Sequence, residues 1–234
     1  MHLAGARLLP GHADEVAAVL RDGNGRTAAA VALVAAGCGG GSPSKAREVA
    51  VEKSKAPVCP AAWREDWQQL ANKVGATVYC PSWLPSPLTG QLGPNVSYGA
   101  EGGPAVSVSK DHSYLVSMAW AEPQTGEVHV NLRGYPGRLK IPTCIAEDYN
   151  AGKLTKTPVP CFNDARGKVT ERGITATVYT VNQDADLWHV LYAWHHKGGL
   201  YTVSEHIAQP LTYSMVVANL HKMLRGLVPL EPKR

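Results

Sequence analysis

No run of apolar residues in the chain reaches the 18 or so that a bilayer-spanning helix needs, so no such helix is expected. No five or six like charges stand together, and the formal net charge of +4 is mild, which leaves no dedicated nucleic-acid surface. Charged residues make up only 18% against 44% hydrophobic, too few for a disordered polar chain. The 23 glycines and 17 prolines among 234 residues fall short of collagen or low-complexity composition. Also missing are GxSxG, HExxH, a P-loop and any CxxC pair, so the common hydrolase, zinc and nucleotide signatures are absent, although a triad scattered along the sequence would leave no such trace. What remains is a chain long enough for one domain with a sizeable core.

The stretch from Thr27 to Gly37, TAAAVALVAAG, is uncharged, small-residued and of the length of a signal-peptide h-region, with Arg21 and Arg26 before it. Cys38 follows at once. The junction Val34-Ala35-Ala36-Gly37-Cys38 resembles a bacterial lipobox, with Ala35 where leucine is commoner. The resemblance implies a signal peptide over 1–37 and a cysteine that is lipidated, palmitate among its acyl chains, to become the mature N-terminus. Asp14 and Glu15 are foreign to a positively charged n-region, so residues 1–15 read as upstream of the true start, with Val16 or Val19 as initiator. Residues 38–56 read as a polar tether, about 19 residues with a reach of roughly 25 Å. A single domain is expected over 57–234, on the extracytoplasmic face of the cell membrane.

Four cysteines are left, Cys59, Cys80, Cys144 and Cys161, an even number in a chain read as exported, which predicts two disulfides. Three pairings are possible. The sequential one, Cys59 with Cys80 and Cys144 with Cys161, is favoured because each pair brackets a local unit.

Cys59-Pro60 opens a helix to about Lys73, with Trp63, Trp67, Leu70 and Val74 at helical spacing and Gly75 as its stop. Ala76 to Cys80 reads as a short strand. Pro81 to Pro104 reads as an ordered surface loop holding a short strand. Tyr114 to Trp120 and Glu127 to Arg133 flank a turn-forming group and predict an antiparallel hairpin; Ile174 to Val181, Leu187 to His196 and Leu200 to Ile207 are further strands. Thr212 is the expected N-cap of a last helix, carrying Val216, Val217, Leu220, Met223 and Leu224 on one stripe and ending at Arg225-Gly226. The expected class is α+β, an antiparallel sheet of about five to seven strands with an N-terminal and a C-terminal helix on one face.

The segment from Ala62 to Pro87, AWREDWQQLANKVGATVYCPSWLPSP, with VHVNLRGYPG and WHVLYAWHHKGGLYTVSEH, resembles a group of uncharacterised exported lipoproteins of actinobacteria. That resemblance implies an envelope location and brings no activity with it. In order and shape alone the elements are similar to the curved sheets of lipoprotein carriers and of envelope sigma-factor regulators, an analogy of fold only.

A Gly198-Gly199 turn puts Lys197 opposite Leu200, Trp194 opposite Val203, Tyr192 opposite Glu205 and Val190 opposite Ile207. One face then carries Trp188, Val190, Tyr192, Trp194, Tyr201, Val203 and Ile207, with Glu205 among them. This is the core side or, alternatively, the lining of an apolar ligand pocket formed by Trp188, Tyr192, Trp194, Tyr201 and Glu205. Glu205 needs a partner, for which Lys197, Arg133 and the Tyr192 hydroxyl are candidates. The other face, read as solvated, carries Leu187, Leu191, Ala193, Leu200, Thr202, Ser204 and three histidines. His189 and His206 lie there on a diagonal, with His195 on the same face, a candidate metal set that lacks a convergent carboxylate. Asn182 to Asp186 imitates the start of a calcium loop but has Leu187 at the glycine position, and Gly23 to Ala28 matches a dinucleotide fingerprint only by letter. The function expected is therefore a non-enzymatic binding or interaction module at the cell envelope, with no cofactor, its partner a membrane through the lipid anchor and an envelope protein or apolar ligand. The alternatives are a carrier or sensor of an apolar ligand and, second, a metal-assisted hydrolase using His189, His195 and His206.

Overall fold

The structure is a computed structural model that describes residues 56–93, 96, 102–122, 126–150, 153–181 and 186–233. The lipobox, the tether up to residue 55, the dinucleotide-like letters and most of the calcium-like loop lie outside them. The described residues belong to one compact unit.

Helix α1 (Ala61–Val74) begins after Pro60 and buries Trp67, Leu70, Ala71 and Val74 along one stripe. Gly75 ends it in the left-handed region at φ 70°, its N–H donating to Ala71 O at 2.9 Å. The chain passes directly into β1 (Val78–Pro81), and the Cys59–Cys80 disulfide fastens the start of the helix to that strand. Seven strands then build one antiparallel sheet: β2 (Gly103–Val108), β3 (Tyr114–Glu122), β4 (Gly126–Tyr135), β7 (Gly167–Glu171), β8 (Ile174–Val181), β9 (His189–His196) and β10 (Gly199–His206). Their spatial order is β2-β3-β4-β10-β9-β8-β7. The inner seam, β4 against β10, joins a hairpin unit from the middle of the chain to one near its end.

Between β4 and β7 the chain makes a separate two-stranded hairpin, β5 (Thr143–Asn150) and β6 (Lys153–Pro160), closed at its base by the Cys144–Cys161 disulfide. Helix α2 (Tyr213–Gly226) follows, with Thr212 Oγ1 accepting from Met215 N, and β11 (Leu227–Leu230) returns to pair with β1. Strands β2, β5, β6, β7 and β11 are not among those the sequence marks, and no strand lies in the described residues 82–93 of the loop expected to hold one. The fold is α+β, mainly antiparallel sheet, with a helix near each end of the described domain.

Both helices and β1 lie on the aromatic face of the sheet. Val116, Met118, Val130 and Leu132 from the first hairpin and Val190, Tyr192, Trp194, Tyr201 and Val203 from the second pack with Trp67, Leu70, Leu220, Met223 and Leu224 in one buried cluster. Tyr79 of β1 sets its ring edge-on to both Trp194 and Tyr201, with centroids 5.1 and 5.0 Å away.

Three expectations about the last hairpin need correction. Its turn is Lys197-Gly198, both at positive φ (45° and 76°), and Gly199 already belongs to the strand, paired with His196. The register is therefore two residues from that expected: Tyr201 faces Trp194, Val203 faces Tyr192, and His206 lies directly opposite His189. A slip of two leaves each side chain on its expected face, because side chains alternate with a period of two. Trp188, however, precedes β9 at φ 61°, and this left-handed residue turns its ring out to 46% exposure. Finally, the second face is not simply solvated. Leu191, Ala193 and Leu200 are buried with Cys161, Phe162 and Val181, and the Phe162 ring stands edge-on to Tyr179 at 4.9 Å.

Candidate functional site

The other end of that second face is polar, and the strand sequences explain why. In β4 the residues Val128, Val130 and Leu132 turn to the core, so Glu127, His129, Asn131 and Arg133 must turn the other way. In β10, Ser204 and His206 share that side, as does His189 at the start of β9. The pairing of β4 with β10 sets these groups side by side. A close backbone approach fixes the rim: Glu127 N–H donates to Gln209 O at 2.7 Å, and Gly126, at φ 117°, permits it because a Cβ there would stand 1.7 Å from the same oxygen.

The network is organised around Asp186. Its Oδ1 accepts from Ser204 Oγ at 2.6 Å and from Asn131 Nδ2 at 3.0 Å, and its Oδ2 lies 3.3 Å from Arg133 Nη2. Since Ser204 gives its one proton to the carboxylate, its oxygen accepts from His189 Nδ1 at 2.9 Å. His189 is thereby held in the Nδ1–H tautomer with Nε2 unprotonated. Its side chain is 1% exposed, and burial, reinforced by His129, His206 and Arg133, pushes its pKa down to about 2. Asp186 Oδ1, 3.7 Å from Nδ1, does not reverse this, its charge being shared among Ser204, Asn131 and Arg133.

His129 and His206 complete the cluster. His129 Nε2 lies 2.8 Å from Ser117 Oγ and 3.1 Å from Asn131 Oδ1, while its Nδ1 faces Glu127 Oε1 at 3.2 Å. Burial lowers the His129 pKa, against the opposing pull of Glu127. His206 Nδ1 is 3.3 Å from the same Glu127 oxygen. The His189 and His206 rings stack at 5.2 Å, and the His129 ring stands edge-on to His189 at 4.9 Å. One nitrogen from each of the three histidines lies within 4.8 Å of the others.

Of the metal set expected from sequence, the structure brings His189 and His206 together and leaves His195 out. His195 is exposed near the turn end of β9, with Nε2 on Leu139 O at 2.9 Å. His129 takes its place, and Glu127 Oε1 lies beside it, 3.2 Å from His129 Nδ1 and 3.3 Å from His206 Nδ1. The signal for both was present in Glu127-Val128-His129-Val130-Asn131-Leu132-Arg133, whose alternation gives β4 a wholly polar second side.

The expected aromatic site is solid core: Tyr192, Trp194 and Tyr201 are at most 3% exposed, and Trp188 points away. Glu205 is buried on that face, but its partner is none of those expected. Asn219 Nδ2 on α2 donates to Glu205 Oε1 at 2.9 Å, and burial pushes the carboxyl pKa up to about 8.

Chemically, Asp186, Ser204 and His189 do not assemble a serine nucleophile. The hydroxyl donates to the carboxylate and accepts from the imidazole, whereas activation needs a basic nitrogen to take the serine proton. The cluster instead presents imidazole lone pairs and a carboxylate at a partly open end of an antiparallel α+β domain. No protein-family model, curated protein or solved structure matches the chain.

Proposed function

We propose that the protein is a membrane-tethered extracytoplasmic lipoprotein, anchored through Cys38, that acts as a non-enzymatic binding module, with the histidine-rich end of the second sheet face as its binding end. The observation that carries this reading is the filled aromatic face, with Tyr192, Trp194, Tyr201 and Val203 packed beneath the two helices. An apolar carrier would need that space open. A depression of about 230 Å³ beside Phe162, Arg166 and Thr180 is smaller than an ordinary ligand pocket and lies apart from those aromatics. The two disulfides are consistent with an oxidising compartment, and among the described residues no helix is long and apolar enough to cross a membrane.

Fractionation and lipid binding test the reading together. Cys38→Ala should move the protein from membranes to the soluble fraction, and the wild type should show no saturable binding of a fluorescent lipid. Trp194→Ala should cost about 3 to 5 kcal/mol in denaturant unfolding, as a packing loss. Unchanged membrane partitioning of Cys38→Ala would remove the anchor. Saturable lipid binding with near-normal stability of Trp194→Ala would favour the carrier instead.

A further inference from the structure

We propose that His129, His189 and His206 hold a divalent transition-metal cation of the imidazole-seeking class to which zinc belongs, with Glu127 completing the shell on the solvent side. This rests on the reading that this end of the sheet is the binding end, and it names the ligand.

The hydrogen bonds decide which nitrogens are left to bind. His189 spends Nδ1 on Ser204, so Nε2 keeps its lone pair. Asn131 gives its amide protons toward Asp186 and offers Oδ1 to His129 Nε2, which must therefore be the protonated nitrogen of that ring. The remaining lone pair of His129, on Nδ1, then faces Glu127 Oε1. His206 Nδ1 is buried without a hydrogen-bond partner and faces the same oxygen. The His129 Nδ1 lone pair and the Glu127 oxygen 3.2 Å away repel unless positive charge lies between them; a metal dication held there supplies it and takes His206 Nδ1, 3.3 Å from the same oxygen, as a further donor.

The surroundings are those of a metal shell. Ligating histidines commonly donate their second nitrogen to a carboxylate or another anchored acceptor, which fixes tautomer and ring orientation. Here His189 reaches Asp186 through Ser204 and His129 reaches it through Asn131, while Arg133 neutralises that carboxylate from its other oxygen. Three imidazoles and one carboxylate select zinc, copper, nickel or iron over calcium and magnesium, which take oxygen shells. Tetrahedral bonds of about 2.0–2.1 Å put nitrogens roughly 3.3 Å apart, so the present limit of 4.8 Å must close by about 1.5 Å. His206, at the end of β10 and 20% exposed, is less enclosed than His189 at 1%, so the closure falls to its ring. Glu127, 33% exposed, leaves the fourth position within reach of solvent.

The test uses the full chain in detergent, disulfides intact and without a polyhistidine tag. After equilibration with zinc chloride and dialysis, elemental analysis should find one zinc per chain. Competition with a chromophoric chelator should show His206→Gln and Glu127→Gln each binding at least about tenfold more weakly. His195→Gln and His221→Gln should bind as the wild type does. Should His206→Gln fail to fold, cobalt(II) added to the wild type gives the same answer, with tetrahedral ligand-field bands expected and an octahedral aquo-like spectrum overturning the site. A folded wild type that retains no zinc, or zinc held equally by both variants, also overturns the proposal. A chain that loses its anchor with Cys38→Ala yet retains no zinc removes the metal and leaves the tethered-module reading standing.

Discussion

Glu205 and His206 are neighbours on one strand with opposite surroundings. Glu205 lies wholly buried under α2, one oxygen on Asn219 and the other without a hydrogen-bond partner. Its carboxyl, raised from 4.5 to about 8, keeps its proton in the native state at pH values where the unfolded chain has lost it. The native state therefore binds more protons across that window, and stability falls as pH rises from about 4.5 to about 8, then levels off. Glu205→Gln should abolish the slope. At pH 8 it should be the more stable in urea unfolding, by roughly 4 kcal/mol, while near pH 4.5 the two should agree. Equal slopes in both proteins would show that the carboxyl ionises in place. Sequence alone put Glu205 among aromatics and so foresaw the burial; it could not name Asn219, because the rotation of α2 over the sheet is a tertiary fact. Trp188 was misplaced for a different reason. Strict alternation carried it inward, and the left-handed residue at the entrance to β9 broke that alternation.

At the scale of elements, the parity of side chains was legible and neighbourhood was not. Period-two alternation put His189, Ser204 and His206 on one face correctly despite the register error. His129 was missed because nothing local says that β4 lies beside β10, and the strand that follows β4 in sequence turns away into a separate hairpin. The rim of the site depends on one backbone approach between those units, at Gly126. Gly126→Ala combines a left-handed φ with a Cβ in the Gln209 carbonyl, whereas at Gly75 the added Cβ meets nothing within 4 Å. Urea unfolding should therefore show Gly126→Ala the more destabilising of the two. Gly75→Ala should cost the strain alone, roughly 1 to 3 kcal/mol. Equal losses would mean that the approach of Gln209 to Glu127 relaxes freely.

Across the whole molecule, the two disulfides close loops of similar length, with sequence separations of 21 and 17, so loss of chain entropy gives each about 3 kcal/mol. Their settings differ. Cys59 and Cys80 belong to the main core, while Cys144–Cys161 closes the base of a hairpin whose second strand is exposed along nearly its whole length. Cys144→Ala with Cys161→Ala should leave the seven-stranded sheet intact and open only the hairpin, so limited proteolysis should cut within residues 143–161; cuts spread through β8 to β10 would show that the sheet depends on that bond. The finished sheet ends in β2, which carries Pro104, and β7, which carries Lys168, both residues that discourage further strand pairing. The inner seam has no such protection while the chain is being made. Synthesis delivers β2, β3 and β4 early, and the outer edge of β4 must wait for β10, which is produced only after the β5–β6 hairpin and three more strands. Until then a long strand edge beside Val128, Val130 and Leu132 stays open to any passing chain. The edge of β4 is thus exposed for as long as β10 is missing, and a chain terminated before Gly199 should aggregate where one that includes β10 closes the seam.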